Sequence, residues 1–220
     1  MGLTLDLFDN TKIKNYYISK ISYNQTKPFI LDIHYAKRMP SISYAYGMYK
    51  NNQLVGVVTY GKPASPALCK GIMGQENAHL ILELNRLVLL NNEKNEASIL
   101  ISNSLKLLPK PKIIVSYADT EQNHIGLVYQ ATNFIYTGLS DKRKEWRMKN
   151  SKLHSRTICQ TYSLEERKSN QDKFELIDRP RKHRYIYFLG NKTEKKYFKK
   201  NLKYQIKPYP KNEQHKPKAL

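Results

Sequence analysis

Cysteine is scarce in this chain: Cys69 and Cys159 are the only two among 220 residues, and no CxxC spacing joins them. That excludes a structural zinc cluster and points to a reducing compartment. Long apolar runs are missing as well, so nothing approaches the length of a membrane-spanning helix. The opening "MGLTLDLFDN" lacks the basic-then-apolar order of a signal peptide. A cytoplasmic protein without membrane attachment is the expectation. Acidic residues are also in deficit, with 18 Asp and Glu against 38 Lys and Arg, a net charge of +20.

The excess of cations is uneven. Residues 1–140 hold 14 basic and 9 acidic residues, net +5, whereas residues 141–220 hold 24 and 9, net +15. The segment "RPRKHRYIYFLGNKTEKKYFKKNLKYQIKPYPK" interleaves these cations with tyrosines. Such a region suits a polyanion, because neutralising phosphates releases counterions. No helix with a wide apolar face accompanies the charge, which argues against an anionic membrane.

Apolar periodicity gives an α/β pattern. "NYYISKISY" reads as a strand, and "KPFILDIHYAKRM" as a helix stopped by Pro40. "SISYAYGMYKNNQLVGVVTYG" reads as a hairpin about Asn51-Asn52. A Gly/Pro-rich loop is expected over "GKPASPALCKGIMG", then a strand at "LILELNRLVLL" and a helix in "NNEKNEASILISNSLKLL". "KIIVSYA" is a strand, "HIGLVYQATNF" a helix, and "KEWRMK" and "HRYIYFL" are late strands. The expected division is a core over residues 1–150, a basic part over 151–207 completing the sheet, and a loose tail over 208–220.

This order resembles the GNAT acetyltransferase fold, a central mixed β-sheet with flanking helices, here followed by a basic C-terminal extension. Read together, "HYAKRMP", "GVVTYGKPAS", "LELNRLVL", "KNEASILISNSL", "VSYADT", "VYQATNF" and "KHRYIYFLG" resemble the phage Mom family from about His34 to Pro210. The resemblance implies a DNA modification enzyme that converts adenine to its N6-carbamoylmethyl form and so protects phage DNA from restriction. Two alternatives stay open: an N-acetyltransferase acting on protein or RNA amines, and a non-catalytic nucleic-acid-binding protein.

Candidate residues follow from this frame. Asp119 ends an apolar strand at the mouth of the sheet, where α/β proteins place their chemistry. It is the first candidate for a base, with a helix N-cap as the plain alternative. Tyr129, in the next helix, is a candidate acid or a core tyrosine. His34 and Tyr35 are placed on the first helix, with His34 either a base opposite Asp119, an iron ligand or simply structural. Ser104 either faces the donor or is a surface serine. Glu83, Asn85 and Arg86 are three polar residues in an apolar strand, costly unless paired. Strict alternation puts Glu83 and Asn85 on one face and Arg86 on the other.

The donor is expected near Glu83, Asn85, Arg86, Asn95 and Ser98. The turn before that helix, "NNEKNEAS", has no glycine and two glutamates, unlike the glycine-rich cradle of a pyrophosphate. The donor is therefore either acetyl-coenzyme A or glycyl-tRNA, since a glycyl group and a carbamoylmethyl group contain the same atoms. Double-stranded DNA is the expected partner, with tRNA as a donor-linked one. Lys37, Arg38, Trp146, Arg147, Arg181, Lys182, His183 and Arg184 are its expected contacts. The oligomeric state is open, with a homodimer among the alternatives.

Overall fold

In the computed structural model, which describes residues 11–13, 16–151, 153 and 155–211, strands β1 (Thr11–Ile13) and β2 (Tyr16–Lys20) come first. Ser22 then caps α1 (Tyr23–Pro28): its hydroxyl accepts from the Gln25 amide while the Gln25 side chain accepts from the Ser22 amide. A π turn over Phe29–Ile33 follows, and helical geometry ends at His34. The first helix therefore starts and ends earlier than its apolar spacing suggests. His34 and Tyr35 lie in the turn after it, not on it. The reason is local: His34 Nδ1 accepts from the Ala36 amide at 3.0 Å, and Lys37 adopts a positive φ of 39°.

β3 (Tyr44–Lys50) and β4 (Gln53–Gly61) form the expected hairpin. Asn51 and Asn52 both take positive φ, 49° and 64°, as a two-residue turn of matching twist requires. The expected Gly/Pro-rich loop is instead largely helical. Ser65 caps α2 (Pro66–Asn77), and Pro66 sits where no amide hydrogen is needed. Only Gly74, at φ 78°, breaks its helical geometry.

β5 (Ile81–Leu89), α3 (Glu96–Leu107), β6 (Lys112–Asp119) and α4 (Leu127–Ala131) come next, close to where the periodicity puts them. The remaining elements are β7 (Ile135–Leu139), β8 (Lys144–Met148), α5 (Ser155–Thr161) and α6 (Leu164–Ser169), then β9 (Phe174–Asp178), β10 (Lys182–Leu189) and α7 (Lys192–Asn201).

Among the described residues eight strands make one sheet in the order β1-β2-β3-β4-β5-β6-β10-β7, and only β5 and β6 are parallel. β10 enters between β6 and β7, so the basic C-terminal part contributes a central strand. β8 does not join this sheet; it pairs with β9 in a separate two-stranded one. The core lies on both faces, which is why β5 and β6 are nearly continuous apolar runs. One face packs Leu82, Leu84 and Ile114 with Leu100, Ile101 and Leu105 of α3. The other packs Ile81, Ile113, Val115 and Ile186 with Ile72 and Met73 of α2 and Phe198 of α7. Each such side chain, fully buried, stabilises by roughly 1.5–3 kcal/mol. Past α7 the chain runs beside β7: the Lys207 amide donates to Tyr136 and the Tyr209 hydroxyl donates to the Phe134 carbonyl. No helix among the described residues is long and apolar enough to cross a membrane.

Candidate active site between the splayed strands

The two parallel strands pair only from Ile81↔Ile113 to Leu84↔Ser116. β5 then continues to Leu89 and β6 to Asp119 without pairing with each other, so the sheet opens between them. A bulge at Asn85 marks the departure: Tyr60 of β4 faces Leu84 and Thr59 faces Arg86, which leaves Asn85 as the extra residue. Its carboxamide is pinned, accepting from Thr59 Oγ1 at 2.6 Å and donating to the Ser41 carbonyl at 2.7 Å. Gly61 is required beneath that carbonyl, because a Cβ there would sit 1.8 Å from the Ser41 oxygen. On the β6 side, the Ser116 hydroxyl donates to the Leu84 carbonyl at 2.9 Å, where the ladder stops.

The bulge corrects the expected alternation. Leu82 and Leu84 face α3, and beyond Asn85 the residues on that face become Leu87 and Leu89. Glu83 and Arg86 consequently share the opposite face, where their charges act on each other. Both open into a cleft of about 1000 Å³, together with His34, Tyr35, Asn85, Asp119, Tyr129, Lys182 and Arg184.

Asp119 is buried and strongly held. Its Oδ2 accepts from Lys182 Nζ at 2.5 Å and from the Tyr35 hydroxyl at 3.5 Å, and its Oδ1 accepts from the Glu121 amide at 3.1 Å. It thus caps the short 3-10 turn Thr120–Gln122, as the plain N-cap reading expects, while also lining the cleft. Lys182 stands directly opposite Asp119 in the β10–β6 ladder. Glu83 differs: its carboxylate accepts no hydrogen bond among the described residues. Burial pushes its pKa up, against the pull of Arg86, Lys182 and Arg156.

The other groups around the cleft are also tuned. Burial, then the charges of Arg86, His124 and Lys182, lowers His34 to about 4, so its imidazole is neutral near pH 7. Its ring stacks on Tyr35, centroids 4.4 Å apart. Burial, and then the Asp119 carboxylate, raises Tyr35. Burial pushes Tyr129 up to about 12, with Ser116 opposing. Arg86 donates through Nη1 to the Asn85 carbonyl at 2.6 Å and through Nη2 to the Arg38 carbonyl at 2.9 Å, tying the His34–Arg38 turn to β5. Its Nε is buried without a partner among the described residues.

Several expected residues lie elsewhere. Ser104 is neither exposed nor near the cleft: its Oγ bonds the Tyr60 hydroxyl at 2.7 Å and the Ile101 carbonyl at 3.0 Å, inside the core. Asn95 and Ser98 stand at the start of α3 and bond each other, Ser98 Oγ to Asn95 O at 2.9 Å, without lining the cleft. Lys37 and Arg38 follow Tyr35 in the same turn and do not line the cleft. Trp146 lies under the Arg167 guanidinium, and Arg147 pairs with Glu121 at 3.1 Å. Arg181 donates to the Ser140 carbonyl at 2.6 Å, and His183 Nδ1 bonds the Tyr136 hydroxyl at 2.8 Å. Arg184, expected as a nucleic-acid contact, lines the cleft. It is buried, donates to Thr137 Oγ1 at 3.0 Å and packs on the Tyr204 ring. Conversely, Tyr117, His124, Arg143, Arg156 and Arg179 line the cleft. No spacing in the sequence singles them out; only the excess of cations hints at the arginines.

The donor groups can be tested against this geometry. A coenzyme A pyrophosphate does not suit the start of α3, because the buried Glu96 carboxylate already takes the Glu93 amide (2.8 Å) and the Tyr16 hydroxyl (3.0 Å). Glu93 adds a second negative charge beside it, shared with Lys50 at 2.7 Å. Iron does not suit His34: Nδ1 is engaged by Ala36, and no three His, Cys, Asp or Glu side chains converge among the described residues.

A mixed sheet that opens between two parallel strands onto a cleft of ionisable side chains places the chain among α/β proteins with a polar site at the strand ends. Solved structures similar to it include a GNAT-family acetyltransferase from Bacillus cereus (14% identity, 80% of this chain and 99% of that one, TM-score 0.43). Another is Naa50 of Arabidopsis thaliana in complex with a bisubstrate analogue (11% identity, 79% and 98%, TM-score 0.46). The chain belongs to the Mom protein family, whose model matches residues 15–211. It is 27% identical over 208 residues to the methylcarbamoylase mom of Escherichia phage Mu, covering 90% of this chain and 85% of that protein.

Proposed function

We propose that this protein is a transferase that modifies adenine at N6 in DNA, adding a carbamoylmethyl group of the kind that shields phage DNA from restriction. Membership of the Mom family and the phage Mu relative's name, a methylcarbamoylase, support the transferred group, and the net charge of +20 suits a nucleic-acid substrate. The observation that carries the chemistry is Glu83, a carboxyl raised by burial and without a hydrogen-bonding partner among the described residues, in the gap where the strands part.

The amine at N6 is a weak nucleophile and must lose a proton as its new bond forms. Both oxygens of the Asp119 carboxylate are already engaged by Lys182, Tyr35 and the Glu121 amide, whereas the Glu83 carboxylate accepts no hydrogen bond among the described residues. Asp119 therefore acts as the anchor that holds Lys182 and Tyr35, and Glu83 takes the N6 proton. The N6–carbon bond forms as the bond between that carbon and the leaving group breaks. Tyr129, kept protonated by burial, gives its proton to the leaving group. The stacked His34–Tyr35 pair offers a flat platform for the adenine, which must leave the helix to reach the cleft. Residues 151–207 belong to the nucleic-acid-binding part in this reading.

Of the two donors considered, Glu96 disfavours coenzyme A, and glycyl-tRNA suits the charge of the molecule better. Transfer of a glycyl group through its carbonyl, then an isomerisation, reaches the carbamoylmethyl product with no atom gained or lost.

Mass spectrometry of nucleosides from DNA of cells expressing the protein tests the function. Wild type should yield an adenosine heavier by one carbamoylmethyl substituent, and Glu83→Gln and Tyr129→Phe should reduce it by about 10²–10⁴-fold each. DNA with only ordinary adenosine in the wild-type sample rejects the reading.

A further inference from the structure

Cations collect where the small two-stranded sheet meets the cleft. Arg143 immediately precedes β8, Arg179 immediately follows β9, and Arg156 lies in α5, which packs on β8. The backbone joins two of them: the Arg179 amide donates to the Arg143 carbonyl at 2.7 Å. With Lys144, Glu145 and Ser155 the three arginines line a hollow of about 350 Å³. The same three arginines line the main cleft, so the two spaces share a wall.

Arg143, Lys144, Arg156 and Arg179 line this hollow together with Glu145. Glu145 reaches Arg179 only at 3.5 Å and divides itself with Arg147 at the same distance. Like charges brought together repel, and an anion seated among them offsets that repulsion. Guanidinium forks match the geometry of phosphate oxygens better than that of any other common anion except carboxylate. The field of the cluster also reaches inward, since Arg156 acts on the Glu83 carboxyl and Arg143 on the Tyr117 hydroxyl.

We propose that Arg143, Arg156 and Arg179 form a phosphate clamp that seats the DNA backbone beside the nucleotide whose base enters the cleft. The inference rests on the DNA reading above and adds the contact that sets register. Spacing favours it: Arg179 is three residues before Lys182, at most about 11 Å of chain, a span comparable with that from a nucleobase to its own phosphate. The acceptor strand is favoured over a tRNA because Arg156 acts on Glu83, the group assigned to the adenine proton. Phosphate contacts fix position without reading sequence, which is what an extruded base needs from its flanks.

Single-stranded oligodeoxynucleotides with one adenine, and one methylphosphonate walked along the backbone, test the clamp with the full-length protein. Wild type should lose roughly ten-fold or more in affinity when the neutral linkage adjoins the adenine, the scale of a lost charge-assisted hydrogen bond. Neutral linkages farther away should matter little. A variant carrying Arg143→Ala, Arg156→Ala and Arg179→Ala, checked for folding by circular dichroism, should bind all-phosphate DNA more weakly and give a flat scan. Arg156→Lys, which keeps charge without the fork, should fall between. The same position-dependent scan in the triple variant overturns the clamp, as does a flat scan in wild type or an arginine dependence seen for tRNA but not for DNA. Modified adenine together with a flat wild-type scan sinks the clamp alone. A positive scan without modified adenine leaves the clamp standing and sinks the modification reading.

Discussion

Single residues in this cleft are set by their neighbours more than by their type. Two carboxylates, Asp119 and Glu83, line the same space, yet one is saturated with donors and the other has none among the described residues. His34 shows the same point in solution terms. Its folded value of about 4 lies below its ordinary 6.5, so between these pH values the folded chain binds fewer protons here than the unfolded chain. The stability contributed by this site is therefore fully present above about 6.5 and lost as pH falls towards 4. Arg86, His124 and Lys182 face the ring and add to the effect, whereas Glu83, raised by burial, acts in the opposite sense. His34→Gln removes only the histidine's part. Urea midpoints measured from pH 7.5 down to 4.5 should fall less for the variant than for wild type, and parallel curves would exclude this role.

Among the elements, β5 and α3 carry the most information about the site. In β5 the apolar run was legible in "LILELNRLVLL", and so was the oddity of its three polar residues. What was not legible is the bulge, because an extra residue in one strand exists only relative to the partner strand. In α3 the absence of glycine was visible, but the use made of Glu96 was not. Its side chain turns back on the Glu93 amide and meets Tyr16 from β2, a residue 80 positions away. Glu96→Ala leaves that amide and hydroxyl without their acceptor. A loss of about 1–3 kcal/mol in folding stability is expected from chemical denaturation. A variant as stable as wild type would show that water replaces the carboxylate and that the helix start is free for another anion.

Across the whole molecule the net charge of +20 overstates what is offered to a partner. Arg181 and Arg184 hold β7 to β10, and Arg167 lies over Trp146 while donating to the Ser163 carbonyl. Lys192, Lys195, Lys196, Lys199 and Lys200 of α7 remain exposed, as do Arg143, Arg156 and Arg179 at the cleft. Duplex binding should accordingly be salt-dependent: with six to ten phosphate contacts, roughly 10³–10⁵-fold in affinity is lost between about 50 and 200 mM salt. Titrations at several salt concentrations measure the slope. A binding constant indifferent to salt would remove electrostatics as the source of affinity.

Local order determined a large share of this protein. Runs such as Ile113-Ile114-Val115 make strands, because β-branched side chains suit a pleated surface buried on both faces. Asn51-Asn52 makes a hairpin turn because asparagine tolerates positive φ. The polar interruption at Glu83, Asn85 and Arg86 pointed on the same grounds to either a buried network or a donor-contacting set, since buried polar groups are costly without a partner. Only the tertiary structure decided which of these groups share a face, which carboxylate is held by hydrogen bonds and which accepts none among the described residues. It alone brought Lys182 to Asp119 across 63 residues and gathered Arg143, Arg156 and Arg179 at one wall. Periodicity is a property of neighbours in the chain, and it survives in any segment read by itself. Register, bulges and convergent charge are properties of pairings between distant segments, and these exist only once the sheet has closed around its core.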